Sequence, residues 1–470
     1  MNNKSGEIRQ EETIAAVSTP AGEGGVGMVR LSGAGAADIA KEIFRGAGGK
    51  PRHHFETRRV NYGFVVDGEG EKIDEVLLTV MLSPKTYTRE DMVEISCHGG
   101  ALVSRHILER VLSLGARIAS PGEFSKRAFL NGRIDLVQAE AIIDLIRSKS
   151  QKGWKTAFSH LDGKLSETLS GIEMGLVNIM ADLEASIDFP DEEIEIAEDK
   201  KILSSITALK KQVGGLASSY DIGRIYREGI SVAITGRPNV GKSSLMNALL
   251  ERDRVIVTPH PGTTRDMVEE SLQIEGIEVK IIDTAGVREA MEPAEKMGVE
   301  RAIMAAFDAD IVLLVIDGSE GVTGDDKKLI EKLGAREAPF VIIPVINKSD
   351  MEQKPDPWNI DGVDKKMSIK ISAKTGAGLD ELKKRIAKEI ESKGEPLGEG
   401  QTLTRERHIE QLKIVIASLE RALKAMDEGL SREFIACDLA DAKEAMEQLT
   451  GKAFDEQVLS KIFDEFCIGK

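Results

Sequence analysis

Gly236-Arg237-Pro238-Asn239-Val240-Gly241-Lys242-Ser243 is the stretch on which the reading of this chain turns. It fits G-x-x-x-x-G-K-[ST], a pattern that binds phosphate through backbone geometry. The glycines let consecutive N–H groups turn inward around phosphate oxygens. Lys242 reaches the outer phosphates, and the Ser243 hydroxyl faces a magnesium ion. The flanks agree. ISVAIT (230–235) reads as a strand and SSLMNALL (243–250) as a helix. Strand, glycine loop and helix in that order place an anion site at the edge of an α/β sheet.

Further guanine-nucleotide motifs follow in order. Asp283-Thr284-Ala285-Gly286 comes after VKIID (279–283). Asp283 suits the water shell of magnesium, and the Gly286 N–H suits a γ-phosphate. Thr263 and Thr264 lie between the two motifs and are candidates for the threonine that completes the magnesium shell. Asn347-Lys348-Ser349-Asp350 closes the apolar run VIIPVIN (341–347). An aspartate there accepts bonds from the guanine ring N–H and amine; facing adenine, the same carboxylate would be left unpaired. Ser372-Ala373-Lys374 ends the last strand and offers a backbone N–H to the guanine oxygen. The runs ISVAIT, VKIIDT, DIVLLVID, FVIIPVIN and MSIKIS between 230 and 372 suit a parallel sheet covered on both faces. One part is missing. Ras-like GTPases place a glutamine after D-x-x-G to orient the attacking water, and here Val287 follows. Arg265, Arg288, Glu289, Glu292 and Glu295 are all near in sequence, and spacing does not choose among them.

Upstream, TIAAVST (13–19), GMVRLSG (27–33), RRVNYGFVV (58–66), EVLLTVML (75–82) and DMVEISCHGG (91–100) read as strands. Residues 36–44 and 101–115 read as helices, giving an α+β domain. Gly22-Glu23-Gly24-Gly25-Val26-Gly27 satisfies G-x-G-x-x-G, but a dinucleotide site requires a helix to open there, and GMVRLSG continues as strand. From Ser125 the pattern turns helical. Phe158, Leu161, Leu165, Leu169, Ile172, Leu176, Ile179 and Leu183 recur at helical spacing, as one face of a long helix ending near Asp188. After Pro396, Ile409, Leu412, Ile416, Leu419, Leu423 and Met426 form a second seam that needs a partner, and 150–185 is the nearest candidate. The organisation implied is 1–125 as an N-terminal α+β domain, 126–222 and 396–470 as two parts of one all-α helical domain, and 223–395 as an inserted α/β P-loop GTPase (Ras-like) domain.

The chain has 470 residues, 41% hydrophobic and 30% charged, with a formal net charge of −16. The charge argues against a broad nucleic-acid surface, though not against a local basic patch. No apolar run reaches the roughly 18–20 residues of a membrane span, and residues 1–12 lack a signal core, so a cytoplasmic protein is expected. Cys97, Cys437 and Cys467 offer neither a disulfide framework nor metal-ligand spacing; Cys467 reads as a structural thiol at a packed C-terminus, with a nucleophile facing folate or uridine as the alternative.

RPNVGKSSLMNALL, PGTTRD and DTAGVRE together resemble the tRNA modification GTPases of the MnmE (TrmE) family. GGVGMVRLSG (24–33), CHGG (97–100), PGEFSKRAFLNGRIDLVQAEAI (121–142), IDFPDEE (187–193) and FCIGK (466–470) extend the resemblance over nearly the whole chain. It implies a homodimer whose N-terminal domain binds a tetrahydrofolate derivative and mediates dimerisation. It implies an MnmG (GidA)-type flavoprotein partner in a heterotetramer, acting on the wobble uridine of certain tRNAs, with GTP as substrate. By position, the GTP contacts implied are Asn239, Val240, Gly241, Lys242, Ser243, Ser244, Thr258, Pro259, His260, Pro261, Gly262, Thr263, Thr264, Asp283, Thr284, Ala285, Gly286, Asn347, Lys348, Asp350, Ser372, Ala373 and Lys374. Ser243 and Thr264 would hold magnesium; Asn239, Thr258, His260 and Thr263 would hold potassium. Glu295 would orient the water. Arg30, Glu94, Arg133 and Lys470 would line the folate pocket. Pro259-His260-Pro261 departs from the family's usual loop, yet prolines keep the carbonyls that a cation uses. The rivals are a ribosome-assembly GTPase switch of the Era type, without modification chemistry, and a folate one-carbon enzyme with a regulatory GTPase domain. The first predicts a basic RNA-binding appendage, where this C-terminal region is acidic and helical.

Overall fold

The computed structural model describes residues 12–188, 192–253, 270–283, 306–307, 309–334, 340–354, 367–394, 397–398 and 400–470. They fall into two compact units. One is the chain up to Ile143 together with Glu447–Lys470, and the other is Asp144–Met446.

In the first unit, strand patterning of period two gives a sheet with one apolar face. Among the described residues it has seven strands, in the order Phe44–Gly46, Val60–Val66, Lys72–Met81, Met92–His98, Val26–Ser32, Ile14–Val17 and Arg117–Ile118. Neighbours run antiparallel except the last two, which are parallel. Val29, Leu31, Val76, Leu78, Val93 and Ile95 face the helices Ala36–Ile43 and Ala101–Ser113, meeting Ile39, Ile43, Ile107 and Val111 in one core. The opposite face carries Arg30 paired with Glu94, Ser96 between Met28 and Leu77, and Tyr62 beside Leu77. The two short strands Phe44–Gly46 and Arg117–Ile118 carry too few residues to show an alternation. Gly22–Gly25 leads straight into strand Val26–Ser32, with no helix after the glycines.

In the second unit a six-stranded sheet, again among the described residues, runs Ile369–Lys370, Val341–Asn347, Ile311–Asp317, Ile230–Thr235, Ile277–Asp283, Glu270–Ile274. All pairs are parallel except the last. Ile311–Asp317 is buried at every residue, as a central strand covered on both faces requires. Glu270–Ile274 is a strand that the apolar runs did not announce. Its hairpin turns on Glu275 and Gly276, at φ 49° and 76°, both in the left-handed region that a type I′ turn needs.

The long helix of this unit is Lys164–Asp188, and Leu165, Leu169, Ile172, Leu176, Ile179 and Leu183 are buried along it. Phe158 and Leu161 do not belong to it. They lie on a separate helix, Gln151–Leu161, because Gly163 takes φ 98° and breaks the run. The second seam lies on Glu406–Asp427 and packs against Glu192–Ser218, not against 150–185. Its buried line is Ile409, Leu412, Val415, Leu419, Ala422 and Ala425, with Ile416, Leu423 and Met426 at the margin. The buried face is thus turned by about one residue from the expected seam, towards the small residues Ala422 and Ala425.

Candidate functional sites

The phosphate loop is built by strand Ile230–Thr235 and helix Lys242–Asp253. Gly236, Asn239 and Gly241 sit at φ 153°, 65° and 95°. Asparagine tolerates the left-handed region better than most residues. The glycines have a second reason. A Cβ on Gly236 would lie 2.4 Å from the Val315 carbonyl, and one on Gly241 would lie 2.2 Å from Asn347 Nδ2. Lys242 Nζ donates to the Gly236 and Arg237 carbonyls, both at 2.9 Å, so the ammonium lies across the loop. Ser243 and Ser244 are exposed on the first turn of the helix.

Asn347 ties this loop to the Ser372–Lys374 turn. It is buried, donates from Nδ2 to the Val240 carbonyl at 2.8 Å and accepts from the Ala373 N–H at 2.9 Å. Lys348, at φ 63°, donates to Asp317 Oδ2 at 2.6 Å. Burial pushes the Asp317 carboxyl up, but the bonds from Lys348 and Ser319 outweigh it and hold the group below its ordinary range. Asp350 is exposed and accepts from Ser372 Oγ at 2.6 Å, the main reason its carboxyl is also held low. An ionised carboxylate beside the Ser372–Lys374 turn is an acceptor for a planar ligand with two adjacent donors. Asp317 and Ser319 were not singled out from sequence. A buried carboxylate ending the apolar strand Ile311–Asp317 was the available signal.

Asp283 ends its strand. Thr258, Pro259, His260, Pro261, Gly262, Thr263, Thr264, Thr284, Ala285, Gly286 and Glu295 lie outside the described residues.

A second site lies on the other sheet face of the first unit, where Phe124, Tyr87 and the C-terminal residues pack beside Arg30. Arg30 and Glu94 are cross-strand partners. Arg30 Nε and Nη2 donate to Glu94 Oε1 at 3.0 and 2.8 Å, and Nη1 donates to the Gly469 carbonyl at 3.2 Å. Ser18 Oγ donates to the same carbonyl at 3.1 Å. Gly469, at φ 94°, lies so close that a Cβ would stand 2.6 Å from the Val17 carbonyl. The C-terminus is thereby seated on the face of its own chain, and Lys470 feels the charges of Arg30 and Glu94. Burial first, and Arg30 second, lower the Lys470 ammonium below its ordinary value. Tyr87 joins them. Arg133 stands 4.7 Å from its ring centroid and Arg30 6.0 Å, and its hydroxyl bonds Ser125 at 2.7 Å. Burial raises the Tyr87 phenol, which stays protonated.

The structure thus brings Arg30, Glu94, Arg133 and Lys470 together, and adds Tyr87, Ser18 and Gly469, for which the sequence carried no signal beyond the FCIGK terminus. Three cations against one carboxylate fit an anionic ligand. Glu94 Oε2, without a hydrogen bond among the described residues, fits a ligand N–H. Glu123 and Arg127 of the PGEFSKRAFL stretch do other work. Arg127 is 1% exposed, held by Glu90 at 2.9 Å and Glu123 at 3.0 Å, and Arg117 binds Glu123 at 2.6 Å. This buried network fixes the helix Glu123–Leu130 behind Tyr87. Cys467 is exposed rather than packed.

A glycine phosphate loop between strand and helix, on a largely parallel sheet, with an asparagine that ties the loop to the turn after the last strand, defines a P-loop nucleotide-binding protein of the GTPase type. A model of the MnmE helical domain matches residues 136–467, and one of the GTP-binding protein TrmE N-terminus matches residues 13–133. The tRNA modification GTPase MnmE of Acetivibrio thermocellus is 43% identical over 98% of this chain and 100% of its own length. That of Carboxydothermus hydrogenoformans is 42% identical, again over 98% and 100%. Among solved structures, Aquifex aeolicus Era bound to GDP and AlF4− is 30% identical, covers 40% of this chain and 66% of its own, and has a TM-score of 0.26. The chain belongs to the MnmE (TrmE) family of tRNA modification GTPases.

Proposed function

We propose that this protein is a GTP-hydrolysing tRNA modification enzyme. With an MnmG (GidA)-type flavoprotein it installs a carboxymethylaminomethyl or aminomethyl group at carbon 5 of the wobble uridine (position 34) of certain tRNAs, using a one-carbon unit from tetrahydrofolate. The observation that carries this is the match along 98% of the chain to tRNA modification GTPases at 43% identity. The Asn347 clamp and the ionised Asp350 support guanine as the base. Ser243, at the helix start beside Lys242, suits a magnesium ligand, with Thr264 and Asp283 as its proposed companions. Asn239, exposed at φ 65°, suits a potassium ligand, with Thr258, His260 and Thr263. Glu295 is the proposed water-orienting residue. Bound metal ions would neutralise phosphate charge as the bond to the γ-phosphate breaks.

For folate, Glu94 would accept from the pterin N–H groups, and Arg30, Arg133 and Lys470 would face the anionic tail or the one-carbon substituent. The homodimer has support in the exposed apolar patch on the outer sheet face of the first unit, where Val60, Tyr62 and Leu77 are 59%, 50% and 47% exposed. We retain the fourfold division of the chain at 125, 222 and 395, and a cytoplasmic location, as parts of the same proposal. No helix among the described residues is long and apolar enough to cross a membrane. Mass spectrometry of wobble-uridine nucleosides in tRNA from cells lacking this protein tests the function. Loss of the C5 group, restored by the wild-type gene, is expected; an unchanged profile overturns it.

A further inference from the structure

Between Arg147 and Lys164 the chain carries five cations and one acid, in a protein of net charge −16. The helix Gln151–Leu161 places Trp154 and Phe158 one turn apart on one side, 49% and 51% exposed. Their rings stack at 5.9 Å with 23° between planes. Rings of this size are ordinarily packed inside, and an exposed stacked pair marks a contact surface. They line a cleft of about 440 Å³ that also receives Lys152, Lys155 and Lys164. Lys152 stands 5.3 Å from the Tyr226 ring centroid and 3.9 Å from Glu391. Lys155 and Lys164 have no ion pair among the described residues. Asp162 is the acid in the lining.

Ser159 also lines the cleft, at 8% exposure, and its Oγ has no hydrogen-bond partner among the described residues. A buried hydroxyl left unpaired is costly, and this oxygen, with almost no accessible surface of its own, lies just behind the cleft wall. Gly400, at φ 88°, keeps its place open, since a Cβ there would stand 1.8 Å from that oxygen.

We propose that this cleft binds a single-stranded segment of RNA. One base stacks on the Trp154–Phe158 pair, and the flanking phosphates meet Lys155 and Lys164. Stacking needs an unpaired base, because duplex bases have no free face. A purely apolar protein segment would cover the rings but leave the ammonium groups against it, so charge complementarity favours RNA. The site rests on the tRNA reading above and gives it a contact surface.

The test is fluorescence anisotropy of full-length protein with a short labelled single-stranded RNA, the matching duplex, and whole tRNA. The single strand should bind better than the duplex. Trp154→Ala should weaken single-strand binding about tenfold or more, and Trp154→Phe should keep most of it. Lys155→Ala should lower the salt dependence by about one phosphate contact. GTP hydrolysis of these variants should match the wild type, showing that they fold. Wild-type protein that binds tRNA but no single strand, or Trp154→Ala that binds the strand as tightly as wild type, overturns the cleft site and leaves the tRNA reading standing. Wild-type protein that binds no RNA at all overturns both.

Discussion

Asp350 accepts one short bond, from Ser372 Oγ at 2.6 Å, that holds its carboxyl further below the usual range, and it sits beside loops that Asn347 ties together. Asp350→Asn turns one acceptor into a donor, so GTP binding should fall and xanthosine triphosphate should be preferred in nucleotide competition. Undiminished preference for GTP counts against the assignment. At the other end of the chain's chemistry, His98 Nδ1 lies 2.8 Å from Asp74 Oδ1, and that bond and charge raise the imidazole. Its folded value should exceed the ordinary value of about 6.5. The stabilisation is then fully present below that value and fades as pH rises through the folded one. An NMR titration should show the raised value in wild type and a return towards 6.5 in Asp74→Asn. Both residues stand in recognisable motifs, NKSD and CHGG. Their partners Ser372 and Asp74 lie 22 and 24 residues away in the chain, and only folding makes them neighbours.

Among the elements, the phosphate loop repeats a pattern of residue types, and its geometry follows from those types. Gly236 and Gly241 are required by φ and by close backbone approach, and Asn239 by its left-handed φ and outward position. Asn239→Ala should erase any advantage of KCl over NaCl in GTP hydrolysis while retaining GTP binding; equal wild-type rates in the two salts would sink the potassium proposal. The helix Lys164–Asp188 buries a line of apolar side chains, Leu176 among them, so Leu176→Ala should cost about 2–5 kcal/mol, seen as a lower urea midpoint of the helical transition. The apolar spacing of this helix was plain in the sequence. Its true start was not, because the same spacing runs on through Phe158 and Leu161, and the break depends on one glycine, Gly163, taking φ 98°.

For the whole molecule, the C-terminus has the largest consequence. Gly469 sits against Val17 and Ser18 and accepts from Arg30, more than 430 residues away in sequence. Removing 466–470 should weaken binding of a reduced folate, measured by calorimetry, and so should Arg30→Ala. If both leave affinity unchanged, the pocket on this face does not take folate. The same truncation should leave nucleotide affinity intact, because the phosphate loop belongs to the other compact unit.

The sequence by itself determined the nucleotide chemistry. Phosphate loop, NKSD and the Ser372 turn each lie in a few adjacent residues, and most strands of both sheets announce themselves through apolar runs or alternation, the short Phe44–Gly46 and Arg117–Ile118 and the hairpin strand Glu270–Ile274 excepted. What only the tertiary structure decided is which distant residues meet. Hydrogen bonds such as Asn347 to Val240 and Arg30 to Gly469 join groups whose sequence separation has no local signature. The partner of the 409–425 face is likewise set by helix packing, since an apolar stripe states that it must be covered and not by which helix.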